Sequence, residues 1–306
     1  MTAAGWALLA ASVAVFATRY PRTRWQPLVV AATFAYGAIL PASLALLLFV
    51  LSGTPWWAIA AAVLVAEVAV ELRPWLRRRG RGNPVLIVLT ANVWFGQGQP
   101  ESLLSVARAR DADVIALQEI THDLVAALRE AGIDSEYPHS VVAAGPRWTG
   151  AALWSRRPLR DPVTAHRGTL KRVTATVTVG QDESPDDPRI TSVHIHAPWP
   201  GAPGPWLEQL DEVRHDFADA TGPTIVAGDF NATLDHAAFR SVLTEATDAA
   251  VAAGAWATRT WPTHLPGPRL IAIDHVLLRG LSASSVHVDR IPGADHAALT
   301  ATVVSG

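Results

Sequence analysis

Residues 224 to 233 read TIVAGDFNAT: an apolar run ends in Gly228, Asp229, Phe230 and Asn231. In an extended chain, residues two apart project from the same face, so Asp229 and Asn231 point at one spot. A carboxylate and a carboxamide converging there suit a hard divalent cation, or a phosphate with its cation. A strand-end turn, where Gly, Asp and Asn are common, accounts for this stretch alone equally well. Other strand-like segments end the same way. LTANVW gives Asn92, IALQEI gives Glu119, and SVHIH gives His194 and His196 on one face. IDH gives Asp274 and His275, and GADH, just before the last strand-like run, gives Asp295 and His296. Singly, each has a plain reading as a turn residue, a helix cap or a satisfied core histidine. Jointly they do not, because polar groups at the same ends of adjacent strands build a cleft. The chain has no cysteine, which excludes disulfides, thiolate metal sites and a cysteine nucleophile. Lys171 is the only lysine, so Schiff-base and P-loop lysine chemistry are nearly closed off.

The elements that must position these residues lie in the last 220 or so residues. Residues 85–94, 113–120, 151–155, 173–179, 189–196, 224–230, 271–278 and 298–304 read as strands. Residues 101–112, 122–132 and 205–220 have helical spacing. Many strands with helices between some of them predict an α/β or α+β sandwich. GQDESPDDP, residues 180–188, is expected to be an exposed acidic turn.

The first 72 residues have another texture. Their only charged side chains are Arg19, Arg22, Arg24, Glu67 and Glu71. Leu28 to Leu51 is uncharged, and a bilayer span needs about 20 apolar residues. Gly5 to Thr18 and Trp56 to Val70 are further apolar runs, and Trp6, Trp25, Trp56, Trp57 and Trp75 sit at the ends of the runs, as an interfacial belt would. The start MTAAGWALLAA has no basic residue, which argues for a retained helix over a signal peptide. The expectation is a transmembrane region of about three helices over residues 1–72, a basic Pro/Gly linker over 73–84 that touches anionic headgroups, and a catalytic domain over 85–306.

The order of these motifs, Asn92, Gln118-Glu119, His194-Ile195-His196, Gly228-Asp229-Phe230-Asn231, Asp274-His275 and Asp295-His296, resembles the endonuclease/exonuclease/phosphatase superfamily. That superfamily includes pancreatic deoxyribonuclease, abasic-site endonucleases, bacterial sphingomyelinases and inositol-phosphate phosphatases. The resemblance covers roughly residues 85 to 304 and implies a four-layer α/β sandwich, two packed mixed sheets flanked by helices. It also implies hydrolysis of a phosphorus ester or anhydride with Mg²⁺ or Mn²⁺. Glu119 would anchor the ion, with Asn92 and Asp295 beside it. Asp229 would orient or deprotonate the attacking water, and Asn231 would hold the water or a phosphoryl oxygen. His194 would donate to a phosphoryl oxygen, and His296 would stabilise the phosphoryl group or protonate the leaving group. Asp274 would fix the tautomer of His296. His196 is a secondary candidate, because the superfamily's histidine pattern maps best onto His194, and His275 is another. One departure is Ala294-Asp295-His296, where the superfamily usually has Ser-Asp-His. That hydroxyl is not normally the catalytic group, so activity is expected to survive.

Charge and the apolar segment bear on the substrate. Setting aside the eight arginines at 19, 22, 24, 73, 77, 78, 79 and 81 leaves 17 of the 25 basic residues; setting aside Glu67 and Glu71 leaves 25 of the 27 acidic ones. The catalytic region is therefore net −8 with histidines neutral, without the bulk basic face of a protein that tracks nucleic acid. The apolar N-terminus, the arginine linker and TWPTHLPGPRLIAIDHVLL together are similar to membrane members of the superfamily from actinobacteria, of the teicoplanin-resistance type. That similarity implies a multi-pass protein of the cell membrane acting on a lipid-linked phosphate, with an extracytoplasmic catalytic domain. The positive-inside rule points the other way, because with three spans the Arg19–Arg24 loop and the linker fall on one side. A membrane-tethered nuclease is the alternative, and a degenerate domain that only binds is disfavoured because every expected polar position is filled.

Overall fold

A computed structural model describes residues 1–76, 80–256 and 258–306. Arg77, Arg78 and Arg79 of the expected linker lie outside the described residues.

Twelve strands among the described residues form two six-stranded sheets. They are β1 (Pro84–Asn92), β2 (Val114–Gln118), β3 (His139–Ala143), β4 (Ala151–Ser155), β5 (Leu159–Arg167) and β6 (Leu170–Val177), then β7 (Arg189–His194), β8 (Thr224–Asp229), β9 (Thr247–Asp248), β10 (Asp274–Arg279), β11 (Leu281–Arg290) and β12 (Ala297–Ser305). The first sheet runs β11-β12-β1-β2-β4-β3 and the second β5-β6-β7-β8-β10-β9. Both are mixed in the same way, with one parallel pair near the middle. β1 lies parallel to β2 and β7 parallel to β8, and the other pairings are antiparallel. A parallel pair brings two carboxyl ends to one edge, and that arrangement makes the site.

Alternate residues of the two sheets interdigitate. Leu86, Val88, Val114 and Ala116 of the first meet Val173, Ile190, Ile225, Ala227 and Val276 of the second in one buried cluster. Helices α5 (Pro100–Ala109), α6 (His122–Glu130) and α7 (Ile133–Glu136) cover the outer face of the first sheet. Helices α8 (Pro203–Ala218) and α9 (Ala237–Val242) cover that of the second, and α10 (Ala249–Ala253) adds to the inner core. The expected four-layer sandwich is therefore present. Strands and helices read from periodicity fall within a few residues of their expected places. β3, β5 and β11, partly buried edge or near-edge strands, lack the apolar runs that mark the inner ones. The acidic segment 180–188 is largely exposed, but Asp187 is buried, paired with Arg160 at 2.8 Å and accepting the Val179 and Ser184 amides. Those contacts hold its carboxyl below the usual range against the effect of burial.

The N-terminal helices depart from the expected number and length. In place of about three long helices there are four short ones: α1 (Thr2–Ala17), α2 (Gln26–Thr33), α3 (Ile39–Leu51) and α4 (Trp57–Leu72). No single described helix is long and apolar enough to cross a membrane. The uncharged run from Leu28 to Leu51 breaks at Phe34, so that Gln26–Thr33 and Ala35–Leu51 meet at a bend of 69°. Together the two halves satisfy the length and composition of a span. Glu67, which interrupts the apolar run of α4, is buried and accepts a hydrogen bond from Ser12 of α1 at 2.6 Å. The Arg19–Arg24 segment docks on the sandwich. Arg22 pairs with Asp211, Arg24 with Glu208 at 3.1 Å, and Arg19 with Glu71 and, at 2.9 Å, with Asp235. Val29 joins the apolar cluster under α8 and α9, and its carbonyl lies 3.0 Å from His236 Nε2.

Candidate active site

The two parallel pairs deliver four polar groups to one end of the sandwich. β1 ends in Asn92, β2 runs into Glu119, β7 ends in His194 and β8 ends in Asp229. Antiparallel β10 begins where β8 ends, so Asp274 stands opposite Asp229 in the ladder. β12 runs antiparallel to β1, which puts the residues just before it, Asp295 and His296, beside the end of β1.

The side chains form one buried network. Asn92 Nδ2 donates to Glu119 Oε1 at 2.9 Å and to Asp229 Oδ2 at 3.0 Å. Glu119 Oε2 accepts the Phe95 amide at 2.9 Å. His194 Nε2 lies 3.6 Å from Glu119 and 3.7 Å from Asp229, while its Nδ1 is 3.1 Å from the carbonyl of Trp148. A Trp148 carbonyl at that nitrogen fixes Nδ1 as the protonated one. Asp229 Oδ1 accepts the Asn231 amide at 2.8 Å, and Asn231 Nδ2 donates to the Ile195 carbonyl at 2.9 Å. Asn231 is thus latched between β7 and β8, beside the carboxylate of Asp229. His296 Nδ1 and Asp274 Oδ2 are 2.8 Å apart, leaving His296 Nε2 pointing between Asp229, at 3.8 Å, and Asp295, at 3.9 Å.

Backbone geometry carries the same message. Glu119 and Asn231 both have left-handed φ, 60° and 47°, which side chains adopt uncommonly and at a cost. Gly228 is dictated by a close approach, since a Cβ there would sit 1.8 Å from the Val193 carbonyl oxygen. Only glycine lets β8 lie tight against β7 one residue before Asp229.

Electrostatics follows from burial and neighbours. Burial pushes the Asp229 carboxyl up to about 6, with His296 pulling down and Asp274 pushing up. Burial works against the charge on His296, but Asp274 and Asp229 outweigh it and push that imidazole up to about 10. Burial and nearby Glu119 raise Asp295, against the pull of His296. An oxygen each of Asp274 and Asp295 is buried without a hydrogen-bond partner, which is costly unless another group completes them. Asp229, Asp274 and His296 offer ligand atoms within 4.8 Å of one another and form a group that could hold a metal ion. Of that group His296 has only Nε2 to offer, because its Nδ1 is engaged by Asp274 at 2.8 Å. Carboxylate oxygens such as those of Glu119 and Asp295 are the donors a hard cation favours, whereas Asn92 turns its Nδ2 to Glu119 and Asp229 and its amide oxygen accepts the Trp94 amide at 2.9 Å.

Eight of the ten candidates read from sequence come together here. His196 does not: although two residues from His194, it follows the end of β7, and its amide and Nδ1 both bond Gln209 of α8, each at 2.8 Å. His275 points to the opposite face of β10 and bonds Asp248 at 2.6 Å and the Ala232 carbonyl at 2.9 Å. Sequence reasoning missed the aromatic rim. Trp94 stacks on His264 with centroids 5.4 Å apart, Phe95 meets Trp148 edge-on at 6.0 Å, and Arg147 lies 4.8 Å over Trp148. Trp94 and Phe95 follow Asn92 directly and both have positive φ, so the turn after β1 was the available signal.

The comparisons agree with this geometry. Humanised TDP2 of D. rerio superposes with a TM-score of 0.58 at 16% identity, over 71% of this chain and 98% of that one. A conserved protein of Enterococcus faecalis superposes with 0.58 at 16% identity, over 72% of this chain and all of the other. A family protein of Leptotrichia buccalis gives 0.54 at 16% identity, over 71% and 99% of the two chains. At such identities the likeness is one of fold. No curated protein matches the sequence. Residues 89–296 match the Endonuclease/Exonuclease/phosphatase family, and this span holds every polar group of the cluster. The chain belongs to that family of phosphoester hydrolases.

Proposed function

We propose that this protein is a membrane-anchored, divalent-metal-dependent phosphoesterase that hydrolyses a lipid-linked phosphate. The observation that carries the hydrolytic part is the convergence of Glu119, His194, Asp229 and the His296–Asp274 pair within hydrogen-bonding or near-bonding reach. Apolar helices docked on the same sandwich, with Leu40, Leu47 and Val65 all more than half exposed, support the membrane part. In this reading the anchor is a cell-membrane one and the sandwich faces out of the cytoplasm.

A Mg²⁺ or Mn²⁺ ion held by Glu119 and Asp295, with the Asn92 amide bracing Glu119, would neutralise charge on a phosphoryl oxygen and orient the ester. Asp229, ionised above about pH 6, accepts a proton from the attacking water. Asn231, latched to Ile195, keeps that carboxylate and the water aligned. His194, with its Nδ1 turned to the Trp148 carbonyl, sets its Nε2 beside Glu119 and Asp229, where the phosphoryl group would lie. His296 is charged at neutral pH and has its Nε2 free of a hydrogen bond, so it stabilises the developing charge and gives a proton to the leaving oxygen. Asp274 holds the ring and keeps it charged. Water is the nucleophile, and no covalent intermediate is needed.

A nuclease is the second reading. One structural neighbour is a D. rerio TDP2 described as complexed with single-strand DNA product, superposing with a TM-score of 0.58 at 17% identity. Purified full-length protein in detergent, given a polyprenyl phosphate and plasmid DNA in parallel, separates the two. Phosphate release from the lipid that outpaces nicking is expected, whereas robust nicking with no phosphate released from any lipid would replace the lipid reading with the nuclease one.

A further inference from the structure

Two hollows lie beside the site and share one arginine. The first is an open cavity of about 900 Å³ between the N-terminal helices and the sandwich, within the range of small-molecule sites. Ile39, Val70, Trp75, Trp256 and Leu270 give it a mostly apolar lining. Its charged groups largely satisfy one another. Arg19 pairs with Glu71 and Asp235, and Arg240 donates to the carbonyls of Leu234, Asp235 and Arg19. The lining continues outward into exposed apolar surface, with Trp256 71% and Leu270 41% exposed, and Leu40 beside Ile39 66% exposed.

The second hollow is a groove of about 720 Å³ lined by Arg259, Arg269, Arg290 and His264, with no acidic residue in its walls. None of the three arginines pairs with a carboxylate among the described residues. The groove touches the catalytic cluster directly. Thr263, in its wall, gives its amide to the Asp295 carbonyl at 2.8 Å, and His264 stacks on Trp94. Arg259 belongs to both hollows. Its guanidinium lies 5.5 Å over the ring of Tyr36, whose hydroxyl donates to the Leu270 carbonyl at 3.3 Å. An apolar trough that opens on bilayer-type helices therefore leads, past one cation, to a basic groove at the edge of the site.

We propose that the trough takes the hydrocarbon chain of an anionic amphiphile and that Arg259, with Arg269 and Arg290, takes negative charge on its head. The match is one of chemistry at both ends. Apolar walls favour a chain over a sugar or a base, and arginines without acidic neighbours favour a phosphate or diphosphate. This inference rests on the lipid-linked reading above and deepens it, making the helices part of the substrate site as well as an anchor.

The test is binding, so that it stands apart from turnover. Butyl- and dodecylphosphonate, which cannot be hydrolysed at phosphorus, are titrated calorimetrically into the full chain in detergent, with protein-free micelles as the blank. Dodecylphosphonate should bind about 100-fold tighter than butylphosphonate, the gain from burying about three or four of its added methylenes in the open trough. Arg259→Ala should weaken both by about tenfold. Ile39→Trp, which fills the trough, should weaken the dodecyl compound by about tenfold and so narrow the gap between the two. Equal affinity for the two phosphonates would overturn the proposal, as would a dodecyl affinity that Ile39→Trp leaves untouched. Should Ile39→Trp not fold, the two wild-type affinities decide the matter. A steep chain-length dependence without hydrolysis of any lipid phosphate would keep the trough and sink the proposed function, so the two failures are distinguishable.

Discussion

Asp274 and His275 are neighbours in one strand and face opposite ways, and each belongs to a buried histidine–aspartate pair. On the cleft side, His296 Nδ1 meets Asp274 at 2.8 Å; on the outer side, His275 Nδ1 meets Asp248 at 2.6 Å. In both, burial disfavours the imidazolium and the carboxylate restores it, so that both histidines are raised above their ordinary value. The difference lies at the second nitrogen. His275 Nε2 reaches the Ala232 carbonyl at 2.9 Å, and its ring lies 4.4 Å from that of Phe239. His296 Nε2 has only two carboxylates at 3.8 and 3.9 Å, beyond a hydrogen bond. One pair is complete and serves packing. The other keeps a proton in hand beside Asp229, whose own carboxyl sits near 6. Burial and a carboxylate partner do not by themselves mark a catalytic histidine; a spare nitrogen aimed at a second acid does.

Substitutions break that comparison at graded points. Asp229→Asn keeps shape and hydrogen bonding to Asn231 but cannot accept a proton, and should lower kcat and kcat/KM together by about 10³-fold. Steady-state kinetics at saturating metal measures this. On the histidine side, His296→Ala should cost about 10²-fold. Its pH profile is more informative. Asp229 must be ionised and His296 protonated, so activity should rise through about pH 6 and fall near pH 10. Because Asp274 raises His296, Asp274→Asn should move the alkaline limb down toward neutrality, and a limb that stays in place would deny the pairing its role.

The structural pair should respond in the opposite sense. His275→Ala leaves Asp248 buried without its cation, and should destabilise the fold by about 3 kcal/mol while turnover of the folded enzyme changes by less than about threefold. Thermal unfolding and kcat on the same sample separate the two effects. His196→Ala removes a bond to Gln209 in the middle of α8 and should be smallest of all, within about twofold in kcat. A loss as large as that of His296→Ala would mean the histidine of this segment had been chosen wrongly.

Much of the sandwich and the cluster was legible because buried strands and strand-end polar groups leave period and position in a sequence. Asp229 and Asn231 sit two apart at the end of an apolar run, and the ladder that sets Asp274 opposite Asp229 follows from two such runs pairing antiparallel. What was not legible depends on the third dimension. Nothing in IDH says that Asp274 faces the cleft and His275 the outer helices until the register of β10 is known. By alternation alone His196 shares a face with His194, but alternation holds only while the strand lasts, and β7 ends at His194. At the N-terminus, composition gave apolar runs of spanning length, whereas the bend at Phe34 and the docking of Arg19, Arg22 and Arg24 are tertiary choices. Arg19 was read as a loop charge at a bilayer and is in fact buried between Glu71 and Asp235.

The central claim is that the buried carboxylates of this cluster work through a divalent cation on a phosphate ester. The full chain should be stripped with chelator, dialysed, and assayed for phosphate or phosphomonoester release from a generic diester as Mg²⁺ or Mn²⁺ is added back, alongside Glu119→Gln. Activity should vanish in chelator and return with the metal, and Glu119→Gln should need about tenfold or more metal to reach half its own maximum. Full activity in chelator, or an unchanged metal requirement in Glu119→Gln, would contradict the account.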